Sequence, residues 1–135
     1  IIAKLKQFIG NTLRGRTVAV FGLTFKADTN DIRNSPALKA IELLGQEEAI
    51  VRAHDPVATP VFPRTIPHVS YHYDPYDAVN NADALMILTE WPCFRDLDYA
   101  RIKAKMASPY IVDGRNLLNQ ELVTALGFSY VGVGR

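Results

Sequence analysis

Apolar positions along the chain follow two patterns, one typical of buried strands and one typical of amphipathic helices. Short runs with hardly any polar residue, such as 17–21, 84–88 and 110–112, predict strands covered on both faces, and the first of them is also rich in β-branched residues. Runs with apolar residues three and four positions apart, such as 1–13 and 38–44, predict helices that bury one side. The two patterns alternate, which predicts an α/β fold.

Capping and turn residues set the predicted boundaries. Ser35-Pro36 is typical of an N-cap followed by the first helical residue, and Pro56 ends the strand before it. The segment 57–67 contains three prolines, so we predict a loop there. The predicted strands are 17–21, 50–54, 69–71, 84–88, 110–112 and 130–133, and the predicted helices are 1–13, 36 to between 45 and 49, 75–81, 98–106 and 120–126.

Buried strands that alternate with helices predict a Rossmann-like three-layer fold, because each crossover between parallel strands must cover the sheet. We expect a mainly parallel sheet of about five or six strands with helices on both faces. Residues 1–14 are interpreted as the end of a linker helix and 15–135 as one domain. The other interpretation is that the first helix packs on its own domain. Because the chain opens on Ile1 inside a helical pattern, we expect it to be part of a longer protein.

The composition is typical of a soluble globular protein, since 48% of the 135 residues are apolar and 21% are charged. A net charge of +1 without a basic run argues against nucleic acid as a partner. A lone cysteine, Cys93, excludes an internal disulfide. The sequence has neither the pattern of a secretory signal nor an apolar stretch of roughly 20 residues, so we expect a cytoplasmic protein that does not span a membrane.

Ligands of open parallel sheets bind beyond the carboxyl ends of the strands, where the strand order reverses. This rule selects the segments 22–35, 89–91 and 113–116. The first contains Gly22 where a dinucleotide fingerprint needs three closely spaced glycines. We therefore expect side-chain charge to hold a phosphate, with Lys26 as a point charge and Arg33 as a planar fork. Arg115 follows a buried strand and should point into the cleft or over its rim.

A structural interpretation of the first two cations stays open, because Asp28 and Asp31 could neutralise them in solvated pairs. Cys93 lacks an adjacent histidine and is not interpreted as a nucleophile. Asp55 is interpreted as a structural cap and Trp91 as a cleft-wall or core residue. The three histidines lack metal-ligand spacing, so no metal is assigned.

Six short motifs occur in an order and at spacings that are similar to those of one enzyme family. They resemble the C-terminal UDP-binding domain of the UDP-glucose and GDP-mannose dehydrogenase family, most closely its UDP-glucose 6-dehydrogenases. The resemblance runs from about Arg16 to the end of the chain. The motifs are Gly22-Leu23-Thr24-Phe25-Lys26, Asp31-Ile32-Arg33-Asn34-Ser35-Pro36, Asp55-Pro56, Thr89-Glu90-Trp91, Asp113-Gly114-Arg115-Asn116 and Gly132-Val133-Gly134-Arg135.

The resemblance implies an NAD-dependent oxidation of UDP-glucose to UDP-glucuronate, in two hydride transfers through a thiohemiacetal and a thioester on a cysteine. That cysteine lies in the family's N-terminal domain, so this chain is expected to be inactive alone. By position in the motifs, Phe25, Lys26 and Arg115 are similar to substrate contacts of the nucleotide-sugar-binding domain, 15–135. Arg33 is similar to the arginine that reaches the NAD pyrophosphate, which the N-terminal domain mainly binds. The active site would form between the N-terminal domain and this one, and the intact enzyme is expected to be a homodimer.

Two alternatives stay open at this point. The chain could be a free-standing nucleotide-sensing module that regulates a partner through its first helix. It could also belong to a related dehydrogenase that acts on GDP-mannose or on a UDP-N-acetylhexosamine. The motifs at 89–91 and 113–116 favour glucose.

Overall fold

The computed structural model describes residues 2–24, 35–57 and 68–133. In these ranges the chain forms five α-helices, six strands and a 3₁₀ turn at Pro92–Phe94. The helices are α1 (Ile2–Ile9), α2 (Pro36–Gln46), α3 (Pro75–Ala78), α4 (Tyr99–Lys105) and α5 (Gln120–Ala125). The strands are β1 (Thr17–Phe21), β2 (Ile50–His54), β3 (Val69–Tyr71), β4 (Ala84–Ile87), β5 (Tyr110–Asp113) and β6 (Ser129–Gly132).

The strands form one six-stranded sheet in the order β3-β2-β1-β4-β5-β6, and every neighbouring pair is parallel. This order and direction are those of the doubly wound dinucleotide-binding fold. The strand order reverses between β1 and β4, so the loops that follow these two strands flank the switch point. The predicted Rossmann-like fold is confirmed.

Alternate residues of each strand point to opposite faces of the sheet, and each face has its own hydrophobic core. On one face α1 and α2 cover side chains that include Val18, Val20 and Met86. On the other face residues from α3, α4 and α5 pack on side chains that include Phe21 and Ile87. Burial on both faces explains why the central strands are apolar throughout.

The observed boundaries differ most from the predicted ones in the first helix. The described helix ends at Ile9, not at residue 13, because Gly10 has a φ of +118° and its N–H donates to the carbonyl of Lys6. Leu13 is nevertheless buried in the same core, so its apolar character reflects packing and not helical continuation. Helix α3 is also shorter than predicted and ends at Ala78.

Helix α1 packs on its own domain. Leu5 is buried, the ring of Phe8 stacks on Tyr110 with centroids 5.2 Å apart, and Lys4 donates to the carbonyl of Gly132. An ion pair joins Lys6 to Glu47 of the loop after α2. The apolar stripe of α1 therefore has a partner within the chain, and its interpretation as the end of a linker helix stays a prediction. In the described ranges, no helix has the length and apolar character needed to cross a bilayer.

Candidate functional site

The loops that follow β1 and β4 are in direct contact at the switch point. Gly22 has a φ of +98°, and a Cβ atom added there would lie 2.6 Å from the backbone N and Oγ1 of Thr89. Thr89 donates its hydroxyl hydrogen to the carbonyl of Thr24 over 2.9 Å. Both the conformation and the close approach therefore require glycine at position 22.

Asp55 holds these loops together from the carboxyl end of β2. Its Oδ2 accepts hydrogen bonds from the N–H groups of Leu23 and Thr24 at 2.8 and 3.3 Å, and from Nε1 of Trp91 at 3.1 Å. Its Oδ1 accepts from the N–H of Val57 at 2.9 Å. The carboxyl group is buried, so these contacts replace the water that it would otherwise bind. The interpretation of Asp55 as a structural cap is confirmed, and Trp91 is a buried residue of the same network.

This arrangement does not fit a dinucleotide bound at the switch point in the usual way of the fold. There the pyrophosphate approaches a glycine-rich turn after the first strand, and an acidic residue after the second strand holds the ribose. Here Gly22 lies against Thr89, and both oxygens of Asp55 already accept hydrogen bonds. The described residues of this chain therefore do not provide the ribose contact of a dinucleotide site.

The turn after β5 is the second polar region of the same sheet edge. Asp113 is buried, and its Oδ1 accepts from the N–H of Arg115 at 3.1 Å. Its Oδ2 accepts from the N–H of Leu118 and from the hydroxyl of Tyr130, both at 2.8 Å. Asn116 has a φ of +52°, and its side-chain amide forms two hydrogen bonds with the backbone of Val133. The turn that carries Arg115 is thus fixed on both sides.

The guanidinium group of Arg115 lies at the rim of this edge, as the sequence predicts. Its Nη2 is 2.5 Å from Oε2 of Glu90, in the loop after β4, and about one third of each side chain is exposed, 37% for Arg115 and 35% for Glu90. Its role as a substrate contact stays a prediction. The sequence assigns no role to Glu90, although a carboxylate on the neighbouring loop of one edge is the natural partner of a cation there.

The other three predicted site residues, Phe25, Lys26 and Arg33, lie outside the described residues. The residues on either side of that segment, Thr24 and Ser35, are both buried at the carboxyl end of β1. Ser35 also caps α2, because its Oγ accepts from the N–H of Ala37 at 3.1 Å. The two described residues that flank this part of the sequence, Thr24 and Ser35, therefore lie at the same sheet edge as Arg115.

Two titratable groups near this edge have perturbed pKa values. Burial lowers the pKa of His54, whose Nδ1 donates to the carbonyl of His72 over 2.9 Å. Partial burial raises the pKa of the Cys93 thiol, and the nearby carboxylates of Asp55 and Asp96 act in the same direction. A raised pKa reduces the thiolate fraction at neutral pH, which supports the prediction that Cys93 is not a nucleophile.

Known proteins are similar to this chain in both sequence and fold. Residues 19–120 match the model of the UDP-glucose/GDP-mannose dehydrogenase family, UDP binding domain. The chain is 44% identical to UDP-glucose 6-dehydrogenase of Pseudomonas aeruginosa over 98% of its own length, and 40% identical to UDP-glucose 6-dehydrogenase TuaD of Bacillus subtilis over 100%. It spans 32% and 29% of the length of those relatives.

A solved structure gives the same result. The fold superimposes on UDP-D-ManNAc dehydrogenase from Pyrococcus horikoshii with a TM-score of 0.79 at 31% identity, over 99% of this chain and 29% of that one. The family model covers most of the sheet, from β1 to the start of α5, including the switch point and the turn of Arg115. The chain therefore belongs to the UDP-glucose/GDP-mannose dehydrogenase family and matches its UDP binding domain.

Proposed function

We propose that this chain is the nucleotide-sugar-binding part of an NAD-dependent UDP-glucose 6-dehydrogenase, which oxidises UDP-glucose to UDP-glucuronate. The observation that carries the proposal is the position of Arg115, whose partly exposed side chain lies at the ligand edge of the sheet on a turn that hydrogen bonds fix in place. Thr24, which directly precedes the predicted contacts Phe25 and Lys26 in the sequence, lies at the same edge. A UDP-sugar bound there would meet cations from two loops.

The chemistry of a diphosphate fits such a pair of cations. Arginine presents a planar fork that can donate two hydrogen bonds to one phosphate, and lysine acts as a mobile point charge. Each hydrogen bond to a charged group contributes about 1.5–3 kcal/mol, so two or three suffice for a diphosphate. Because Gly22 is packed against Thr89, a phosphate cannot approach the backbone there as it does in a glycine-rich turn, which supports a role for side-chain charge.

The oxidation itself needs groups that we assign to the remainder of a longer protein. NAD would supply the hydride acceptor, bound mainly by an N-terminal domain, with Arg33 of this chain reaching its pyrophosphate. By the family resemblance, the catalytic cysteine would come from that other domain, and the raised pKa of the Cys93 thiol agrees with this assignment. We expect this chain alone to bind the nucleotide sugar without dehydrogenase activity, and the whole enzyme to be a homodimer.

Calorimetric titration of the chain with UDP tests the proposal. Arg115→Ala and Lys26→Ala should each weaken UDP binding by about ten-fold or more, because each removes a charged hydrogen-bond donor. The matched control is Arg14→Ala. Arg14 is an exposed arginine that precedes β1 and pairs with Glu48, so it lies at the opposite end of the strands from the carboxyl edge. Equal UDP affinities for the Arg115 and Arg14 variants would contradict the proposal.

A second candidate substrate is a UDP-N-acetylhexosamine. The superposition on a UDP-D-ManNAc dehydrogenase with a TM-score of 0.79 favours it, whereas the relatives with 40% and 44% identity are named for UDP-glucose. Competition between UDP-glucose, UDP-N-acetylmannosamine and GDP-mannose in the intact enzyme distinguishes the sugars. Turnover of UDP-glucose alone supports the proposal, and turnover of the N-acetyl sugar alone would replace it.

A further inference from the structure

The ion pair between Glu90 and Arg115 joins the loops that follow β4 and β5. The Oε2 atom of Glu90 is buried and accepts no hydrogen bond from the described residues, although the Nη2 atom of Arg115 lies 2.5 Å from it as an ion pair. The rest of each side chain is partly exposed at the rim of the sheet edge. The arginine that we propose as a diphosphate contact therefore already faces a carboxylate.

The ion pair is not needed to hold the turn in place. Asp113 fixes the backbone of Arg115, and Asn116 ties the same turn to Val133 through two hydrogen bonds. Ion pairs with this much exposure contribute little to stability, because solvent screens them. The main consequence of Glu90 is electrostatic: it reduces the net charge of the rim from that of a guanidinium to about zero.

We propose that Glu90 is a specificity-determining residue that favours a sugar-capped diphosphate over free UDP; this inference rests on the proposed function, which takes Arg115 as a diphosphate contact. A guanidinium has five N–H groups, and Glu90 contacts it at Nη2. Its Nε and Nη1 groups can therefore donate to a phosphate while the carboxylate stays beside them. Because the pair of Glu90 and Arg115 has no net charge, it does not attract a ligand more strongly when that ligand carries one more negative charge.

Free UDP carries that additional charge. Its terminal phosphate is linked by an anhydride oxygen and, like a phosphate monoester, has a second pKa of about 6, so it is mostly doubly ionised at pH 7.5. In a UDP-sugar the same phosphate is also esterified to the sugar and carries a single charge. If Glu90 lost its charge, the guanidinium would be uncompensated and would attract UDP more strongly than it attracts UDP-glucose.

The test is the ratio of UDP to UDP-glucose affinity in Glu90→Gln, measured by calorimetry on the full chain at pH 7.5 and low salt. We expect the ratio to shift toward UDP by about three- to ten-fold, because one charge at a partly exposed site changes. Both ligands are titrated into the same sample, so partial unfolding of the variant cancels. Glu42→Gln, which removes an exposed charge on α2, should leave the ratio unchanged.

The pH dependence provides a second measurement that a purely structural role would not affect. At pH 5.5 the terminal phosphate of UDP gains a proton. The difference in the ratio of UDP to UDP-glucose affinity between Glu90→Gln and the unaltered chain should therefore shrink toward zero. The inference is overturned if, at pH 7.5, the ratio of UDP to UDP-glucose affinity is the same in Glu90→Gln as in the unaltered chain, or is shifted toward UDP-glucose. A shift that persists undiminished at pH 5.5 would also overturn it.

Arg115→Gln separates the failure of this inference from failure of the proposed function. If Arg115→Gln leaves the affinities for both ligands unchanged, Arg115 is not a diphosphate contact and the proposed function fails. If Arg115→Gln weakens both while Glu90→Gln keeps the ratio, the proposed function stands and only the role of Glu90 is wrong.

Discussion

Two regions of the same sheet edge contain polar side chains, yet they differ in what these side chains do. In the central region, formed by Gly22, Thr24, Asp55, Thr89 and Trp91, the polar groups are buried and bond one another. In the outer region, formed by Glu90 and the turn 113–116, a buried aspartate fixes the backbone while Arg115 stays partly exposed. Among the described residues, the polar groups of the central region bond one another within the protein, whereas the partly exposed Arg115 of the outer region is accessible to a ligand.

The largest expected effect comes from the close approach in the central region. Gly22→Ala should lower the free energy of unfolding by about 3 to 4 kcal/mol, because it adds both a left-handed conformational cost and a clash with Thr89. Denaturant titration followed by circular dichroism measures it. Gly15→Ala is the matched control, since Gly15 also has a positive φ, +72°, with no atom within 4 Å of the added Cβ.

The control should lose only about 1 kcal/mol, the conformational part of the cost. The difference between the two variants isolates the contact between the loops that follow β1 and β4. Equal losses in the free energy of unfolding would mean that the close contact between Gly22 and Thr89 does not affect stability.

The second effect concerns the buried carboxylate. Asp55→Ala should lower the free energy of unfolding by about 2 to 3 kcal/mol, because the N–H groups of Leu23 and Trp91 lose their shared acceptor. The exposed Asp96 provides the control, and Asp96→Ala should change stability by less than about 0.5 kcal/mol. If the two variants were equally stable, the hydrogen bonds of Asp55 would not stabilise the central region.

The smallest effect is a dependence of stability on pH in the central region. Burial holds the pKa of His54 below its unfolded value of 6.5, so the unfolded chain binds the proton more readily than the folded chain. Stability contributed by neutral His54 is therefore complete well above pH 6.5 and is lost as the pH falls through 6.5 toward the lower folded pKa. Between pH 7.5 and 5.5 the melting temperature of His54→Asn should fall less than that of the unaltered chain. An equal fall in both proteins would contradict this role of His54.

The sequence predicts the central strands β1 and β4 well because burial on both faces of a parallel sheet leaves a nearly continuous apolar pattern in them. It also predicts Asp55 as a cap, since Asp-Pro after a strand is a local signal. The ion pair of Glu90 with Arg115 could not be predicted, because it joins two loops that only the pairing of β4 with β5 brings together. The reason for Gly22 is equally non-local, since Thr89 is the residue that approaches it.

Titration of UDP into the ¹⁵N-labelled chain tests the division of the edge most directly. The chain has one tryptophan, so the indole N–H of Trp91 gives a single signal for the central region, and the backbone amide of Arg115 reports on the outer one. We predict that saturating UDP shifts the Arg115 amide strongly and leaves the Trp91 indole nearly unchanged. A strong shift of the Trp91 indole with a stationary Arg115 amide would contradict the account.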